Sequence, residues 1–140
     1  MIAIIFFVQM TLLYSPNCSC EPPTPLDSVQ YNSYDFILKG KVVNVVKDLF
    51  EQRVSIEVDK IYKGERKRSV VLIKTAASES ECGIYFKKGQ TWLVYAYGTR
   101  ELMTNLCNRT IQLSSGGSSS VADGEADLKY LEAILRSNGS

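Results

Sequence analysis

The chain has 140 residues, 45% of them hydrophobic and 22% charged, and its 16 basic and 15 acidic side chains leave a net charge of +1. That length suits one domain, and near-neutral charge argues against a nucleic-acid or anionic-membrane partner. No histidine occurs, which removes Ser-His-Asp and Cys-His triads and every histidine-based zinc site.

From Met1 to Leu13 the chain is almost continuously apolar, and no charged side chain precedes Glu21. The run is short of the roughly 20 residues a membrane span needs. Residues 1–17 are expected to be a secretory signal peptide, although no Lys or Arg stands in front of the apolar stretch. A retained N-terminal anchor is the competing reading. Export implies a secreted product, periplasmic or cell-surface in a bacterium, with no membrane span after processing.

All four prolines fall at positions 16, 22, 23 and 25, so Cys18 to Leu26 is predicted to be stiff and extended rather than a central strand. A short helical turn is expected over Asp27 to Tyr34, capped by Asp27 or Ser28. Strands follow. Phe36 to Val46 is rich in β-branched residues and carries Gly40 in its middle, a sign of a bulge or bend. Val54 to Ile61 alternates apolar with polar residues. Val70 to Ile73, Trp92 to Tyr97 and Leu106 to Leu113 are the third, fourth and fifth strands. Five strands, the first long and bent, suggest a small closed barrel over residues 18–113. Residues 114–122, rich in serine and glycine, read as a flexible linker. Residues 123–136 read as a helix packed on the barrel through Leu128, Leu131, Ile134 and Leu135.

The four cysteines are Cys18, Cys20, Cys82 and Cys107. In an exported domain they favour two disulfides. Of the three possible pairings, Cys18–Cys20 is disfavoured by adjacency, and each remaining bridge would close a loop of ~65 or more residues, worth about 4 kcal/mol by the chain-entropy argument.

Several motifs in this order resemble the N-terminal, netrin-like (NTR) domain of tissue inhibitors of metalloproteinases (TIMP), especially short single-domain relatives. They are Cys18-Ser19-Cys20, Asp35-Phe36-Ile37-Leu38-Lys39-Gly40-Lys41-Val42, Ile61-Tyr62-Lys63-Gly64, Cys82-Gly83, Tyr95, and Thr104 through Cys107-Asn108-Arg109. The resemblance implies an all-β fold with an accessory helix: a five-stranded OB-fold Greek-key barrel plus a C-terminal α-helix. It implies bridges Cys18–Cys82 and Cys20–Cys107. It also implies a metalloprotease inhibitor whose mature N-terminus is Cys18. The Cys18 α-amine and carbonyl would chelate the catalytic zinc of a partner metalloproteinase, with no cofactor of the inhibitor's own. Cys18, Ser19, Cys20 and Glu21 would enter the protease cleft, Ser19 pointing into the specificity pocket, with Ser80 and Glu81 flanking it. Two features of the animal inhibitors are missing, the C-terminal subdomain with three further disulfides and the third bridge of the N-terminal domain.

The chelation has a physical basis. A catalytic zinc keeps one position open for water, and an amine with its adjacent carbonyl can occupy that position as a five-membered chelate. Bridges and prolines hold the segment in shape, so little entropy is lost on binding. An exported netrin-like interaction module without protease inhibition is the alternative. A monomer that is not an enzyme is expected: the pairs Asp48/Glu51 and Glu79/Glu81 lie in loops with no nucleophile nearby. A four-cysteine zinc site fits less well, because only one close cysteine pair exists. Lys63, Arg66, Lys67 and Arg68 form a small basic cluster that reads as a solvated turn. Asn108-Arg109-Thr110 and Asn138-Gly139-Ser140 are glycosylation sequons.

Overall fold

A computed structural model describes residues 18–65, 68–113 and 118–139, with residues 118–123 described by their backbone. The expected signal peptide, Arg66 and Lys67 of the basic cluster, and residues 114–117 of the expected linker lie outside the described residues. No helix among the described residues is long and apolar enough to cross a membrane.

After the extended N-terminal segment comes helix α1 (Ser28–Ser33). Asp27 caps it, its Oδ1 accepting from the Gln30 amide at 2.8 Å, which supplies one of the orphan donors of a helix start with a partner. The other end is capped from afar. Lys63 Nζ donates to the carbonyls of Tyr31 and Tyr34, placing a cation at the negative end of the helix.

The sheet has six strands in the order β5-β3-β2-β1-β4-β6. They are β1 (Phe36–Lys47), β2 (Glu51–Lys63), β3 (Val70–Ala76), β4 (Thr91–Ala96), β5 (Leu102–Met103) and β6 (Ile111–Gln112). β1 pairs antiparallel with both β2 and β4, β2 with β3, and β5 runs parallel to β3. The sheet curls so that Tyr97, just beyond β4, pairs with Met103 of β5. The fold is therefore all-β with an accessory helix and an OB-like curl.

β1 turns between its two partners through register shifts at Ile37/Leu38, Lys39/Gly40 and Val42/Asn44. Gly40 is required there. A Cβ at that position would sit 2.5 Å from both the Glu57 carbonyl oxygen and Ile56 Cγ2, closer than non-bonded atoms tolerate.

Two cores share the sheet. Phe36, Leu38, Val42, Ile56, Val94 and Ala96 belong to the one inside the curl. Ile37, Leu93 and Tyr95, on the opposite faces of β1 and β4, belong to the second, together with Leu26, Tyr34 and Leu131. β1 and β4 are covered on both sides, which explains the unbroken apolar run from Trp92 to Ala96.

Two sequence expectations need correction. Leu106 to Leu113 is not one strand. Only Ile111–Gln112 joins the sheet as β6, while Leu102–Met103 forms β5. Residues 104–110 instead fasten to β4 through side chains. Thr104 Oγ1 and Asn108 Nδ2 both donate to the Tyr95 carbonyl, and Thr110 Oγ1 accepts from the Tyr95 amide. Thus polar side chains replace a backbone ladder. The second correction concerns the C-terminal helix, α2, which spans Ser118–Asn138. It begins five residues before Asp123, inside the stretch read as linker. Serine is a poor interior helix residue but a tolerable one in the first turn, where amides need no intrahelical partner.

α2 lies on the outside of the barrel wall. Leu131 is fully buried, with Leu128 and Leu135 packed beside it. Its polar anchors are as specific. The Asp127 carboxylate accepts from Arg109 Nη2 at 2.7 Å, Arg109 Nε at 3.1 Å and the Tyr95 hydroxyl at 2.8 Å. Glu132 accepts from Lys60 Nζ at 2.6 Å and from the Tyr62 hydroxyl at 3.2 Å.

Candidate functional site

The candidate site is built from three loops at one edge of the barrel. The first is the N-terminal segment, where Ser19 and Glu21 are exposed and Cys18 and Cys20 half-buried. Cys18 is bridged to Cys82 and Cys20 to Cys107, each with Cα atoms 5.1 Å apart. Two bridges one residue apart on the same extended strand prevent it from pivoting about either one.

The second loop carries Cys82. A 3₁₀ turn over Glu79–Glu81 closes when the Cys82 amide donates to the Glu79 carbonyl and the Gly83 amide to the Ser78 carbonyl. Cys82 itself has φ 65°, in the left-handed region that ordinary residues avoid. Gly83 follows because a Cβ there would lie 2.1 Å from the Ala76 carbonyl oxygen. Gln52 ties this loop down, donating from Nε2 to the carbonyls of Ala76 and Ile84. Ser80 and Glu81 are both exposed. They sit two residues and one residue before Cys82, so its bridge carries them to the Cys18 end of the segment.

The third loop carries Cys107. The Asn105 side chain shapes it, Oδ1 accepting from the amides of Cys107 and Asn108 at 2.9 and 3.1 Å. The Leu106 amide donates to the Cys82 carbonyl at 2.7 Å, so the two bridged loops are also bonded to each other.

Arg109 completes the support. Besides its pairing with Asp127, its Nη1 donates to the Thr24 carbonyl and, at 2.6 Å, to Gln30 Oε1. One guanidinium therefore links the N-terminal segment, α1 and α2. Burial, reinforced by the Asp127 carboxylate, pushes the neighbouring Tyr95 hydroxyl well above the ordinary tyrosine range. Burial and then Glu132 push Tyr62 up to about 12.

Residues missed in the sequence lie beside these loops. Leu49 and Phe50, at the tip of the β1–β2 hairpin, are 88% and 81% exposed. Asp48 fixes this tip by accepting from the amides of Phe50 and Glu51, and those hydrogen bonds hold its carboxyl below the usual carboxylate range. The Phe50 carbonyl accepts from the Ala77 amide at 3.2 Å, which docks the hairpin tip next to the Cys82 loop. Leu106, in the Cys107 loop, is exposed as well. The signal was present as two large apolar residues between Asp48 and Glu51, in a turn where solvated residues are the norm.

Two other expectations resolve here. Asn108 is only 9% exposed, and its amide nitrogen donates to the Tyr95 carbonyl and to Thr104 Oγ1. In the folded domain that amide is therefore engaged inside the protein, whereas Asn138 is exposed. The four sulfurs are committed to two disulfides, so the oxidised protein has no thiolate to offer a metal.

No family model matches the chain. It is similar to a curated NTR domain-containing protein of Margaritifera margaritifera, 22% identical over 104 residues that span 71% of this chain and 70% of that protein. That similarity supports a netrin-like domain. The sequence markers now have structural duties: Lys63 caps α1, Tyr95 anchors α2, and Thr104, Asn108 and Arg109 build the loop that carries Cys107.

Proposed function

We propose that this netrin-like module, once processed to begin at Cys18, is a secreted inhibitor of a zinc metalloendopeptidase. The observation that carries the reading is the doubly stapled edge, with exposed Ser19 between two bridged cysteines and exposed Ser80 and Glu81 beside them. Such an edge enters a cleft without losing conformational freedom. The free Cys18 amine and its carbonyl would replace the water on the protease's zinc, and Ser19 would face the pocket beside it. No scissile bond is offered to the metal, so the wedge binds without being cut. Ser19 is small, which favours broad specificity of moderate strength. Two disulfides in a domain of this size suit an oxidising, extracellular setting.

The test is a pair of N-termini. A chain beginning at Cys18 should inhibit. One carrying a single alanine before Cys18, or acetylated on that amine, should fold identically and lose inhibition by at least about 100-fold, more than the loss of a partner outside the metal's ligands usually costs. Retained inhibition by the blocked form would sink the chelation mechanism.

A second reading is favoured by the exposed Leu49–Phe50 tip. In it the module binds an extracellular protein through its apolar hairpin without chelation. Binding would then survive the alanine extension and fail in a Leu49→Asp, Phe50→Asp variant.

A further inference from the structure

The two disulfides lie against each other. Cys18 Sγ is 3.8 Å from Cys20 Sγ and 3.7 Å from Cys107 Sγ, and Cys82 Sγ is 4.0 Å from Cys107 Sγ. This is close enough for chemistry between the bridges, and the geometry distinguishes two kinds. Exchange needs a thiolate in line with the disulfide it attacks. Cys18 Sγ is almost equidistant from the two sulfurs of the Cys20–Cys107 bridge, so it faces that bridge side-on. Exchange is therefore not what the arrangement favours.

A metal is. Four thiolates around zinc at Zn–S of about 2.3 Å stand roughly 3.8 Å apart along each edge of the tetrahedron. Three of the six edges already have nearly that length, between sulfurs that are not bonded to each other. Cys18, Cys20 and Cys107 already hold their sulfurs within 4.8 Å of one another; the two bonded pairs would need to separate by about 2 Å each, and Cys82 Sγ to turn toward Cys20 Sγ. The backbone is prepared for this without the bridges. The Cys82 and Cys107 loops are joined by the Leu106 amide and the Cys82 carbonyl. The N-terminal segment is held near them by Arg109 at Thr24 and by buried Leu26.

The geometry points to a redox-gated zinc site: when both bridges are reduced, Cys18, Cys20, Cys82 and Cys107 together bind one Zn²⁺. The inference goes beyond protease inhibition and does not depend on it. Each bridge takes two electrons and two protons, giving two thiols: a dithiol supplies both and closes to its own disulfide, whereas a phosphine supplies the electrons, takes its oxygen from water to become the phosphine oxide, and leaves the two protons of that water to the thiols. The four thiols then lose up to four protons as the tetrathiolate forms around the ion. Zinc would thus replace two covalent staples by one coordinate staple on the same loops.

The experiment uses residues 18–140, reduced with a phosphine, freed of metal and titrated with Co²⁺, then with Zn²⁺ in competition. Expected are one Co²⁺ per chain, the intense ligand-field bands of tetrahedral cobalt thiolate, their loss on adding Zn²⁺, and release of protons with binding. The near-ultraviolet circular dichroism of Trp92 and the tyrosines should keep its oxidised form, which shows that the folded barrel holds the ion. Cys20→Ser and Cys107→Ser should each weaken binding by at least about 100-fold, more than loss of an outer partner usually costs. The proposal is overturned by an octahedral cobalt spectrum, by equal affinity in those variants, or by tetrahedral binding only after the near-ultraviolet signal has collapsed.

Discussion

The wall beneath α2 and the edge around Cys18 hold their parts together by opposite means. The wall uses burial: Tyr95, Leu93 and Leu131 exclude water, and inside that dry layer Arg109 and Asp127 meet with side chains 8% and 3% exposed. The edge buries little. Ser19, Glu21, Ser80 and Glu81 are in water, and the shape there comes from two covalent bridges and three prolines. An exposed edge that must stay rigid cannot obtain its rigidity from a core, so it takes it from covalent bonds. The two regions meet at Arg109, whose Nη1 holds both the Thr24 carbonyl and Gln30 Oε1.

The largest expected effect comes from cutting the edge's staples. Replacing Cys20 and Cys107 by serine opens a cross-link spanning 87 residues, which should cost about 4 to 5 kcal/mol by the chain-entropy argument. Urea unfolding followed by Trp92 fluorescence measures it. A loss under about 1 kcal/mol would mean that the contacts at Thr24 and Leu26, which tether the root of the segment, also fix its Cys18–Cys20 tip, contrary to the contrast drawn above.

Next is the wall's own joint. Asp127→Ala leaves the Arg109 guanidinium buried without its carboxylate, a defect of about 3 to 5 kcal/mol. It should also loosen α2 and shift the Thr24 contact, detectable as faster amide exchange in both α2 and residues 24–30. Exchange confined to α2 would show that the two regions are independent. Smaller in size, Gly40→Ala forces a Cβ against the Glu57 carbonyl and Ile56, at about 1 to 3 kcal/mol of overpacking. It should disturb the β1–β2 register while leaving both bridges formed.

The wall should also fail first in alkali. Tyr95 and Tyr62 both have folded-state pKa values raised, the latter to about 12, chiefly by burial. A raised value means that the folded form holds its proton more tightly than the unfolded chain. The stabilisation is complete below the unfolded value of about 10 and is lost as pH climbs toward the folded ones. Melting temperature should be flat between about pH 8 and 9.5 and fall above pH 10. Tyr62→Phe should make that fall shallower, and an unchanged slope would deny Tyr62 any part in it.

The wall and the edge differed in how far the sequence reveals them. β1 through β4 were visible because their apolar residues recur at strand period or run unbroken, and α2 because leucines recur at helical period. The Leu106 to Leu113 expectation failed because Thr104, Asn108 and Thr110 satisfy the Tyr95 backbone with side chains, and no periodicity announces that. The buried Arg109–Asp127 pair was equally hidden, since charge in a sequence reads as solvent exposure until a partner 18 residues away is seen to face it. At the edge, the motif markers pointed toward a netrin-like scaffold. Most of them, Lys63, Tyr95, Asn108 and Arg109 among them, do structural work, and a scaffold supports more than one use of the surface it carries.

The smallest expected effect on stability therefore matters most for function. Leu49→Asp with Phe50→Asp changes two side chains that touch little of the core, and surface substitutions of this kind usually stay within about 0.5 kcal/mol each. Unfolding should be nearly unchanged. Binding to a macromolecular partner should not be. If the hairpin tip and the Cys18 edge form one continuous docking ridge, joined through the Phe50 carbonyl and the Ala77 amide, the double variant should weaken inhibition of a full protease by about tenfold or more, as loss of buried aromatic anchors does. It should leave intact the response to a blocked Cys18 amine. Should the variant leave inhibition untouched while the alanine extension abolishes it, the edge acts alone and the hairpin is only its support. Should the variant abolish binding while the extension does nothing, recognition belongs to the apolar tip, and the stapled cysteines serve to hold the loops on which that tip rests.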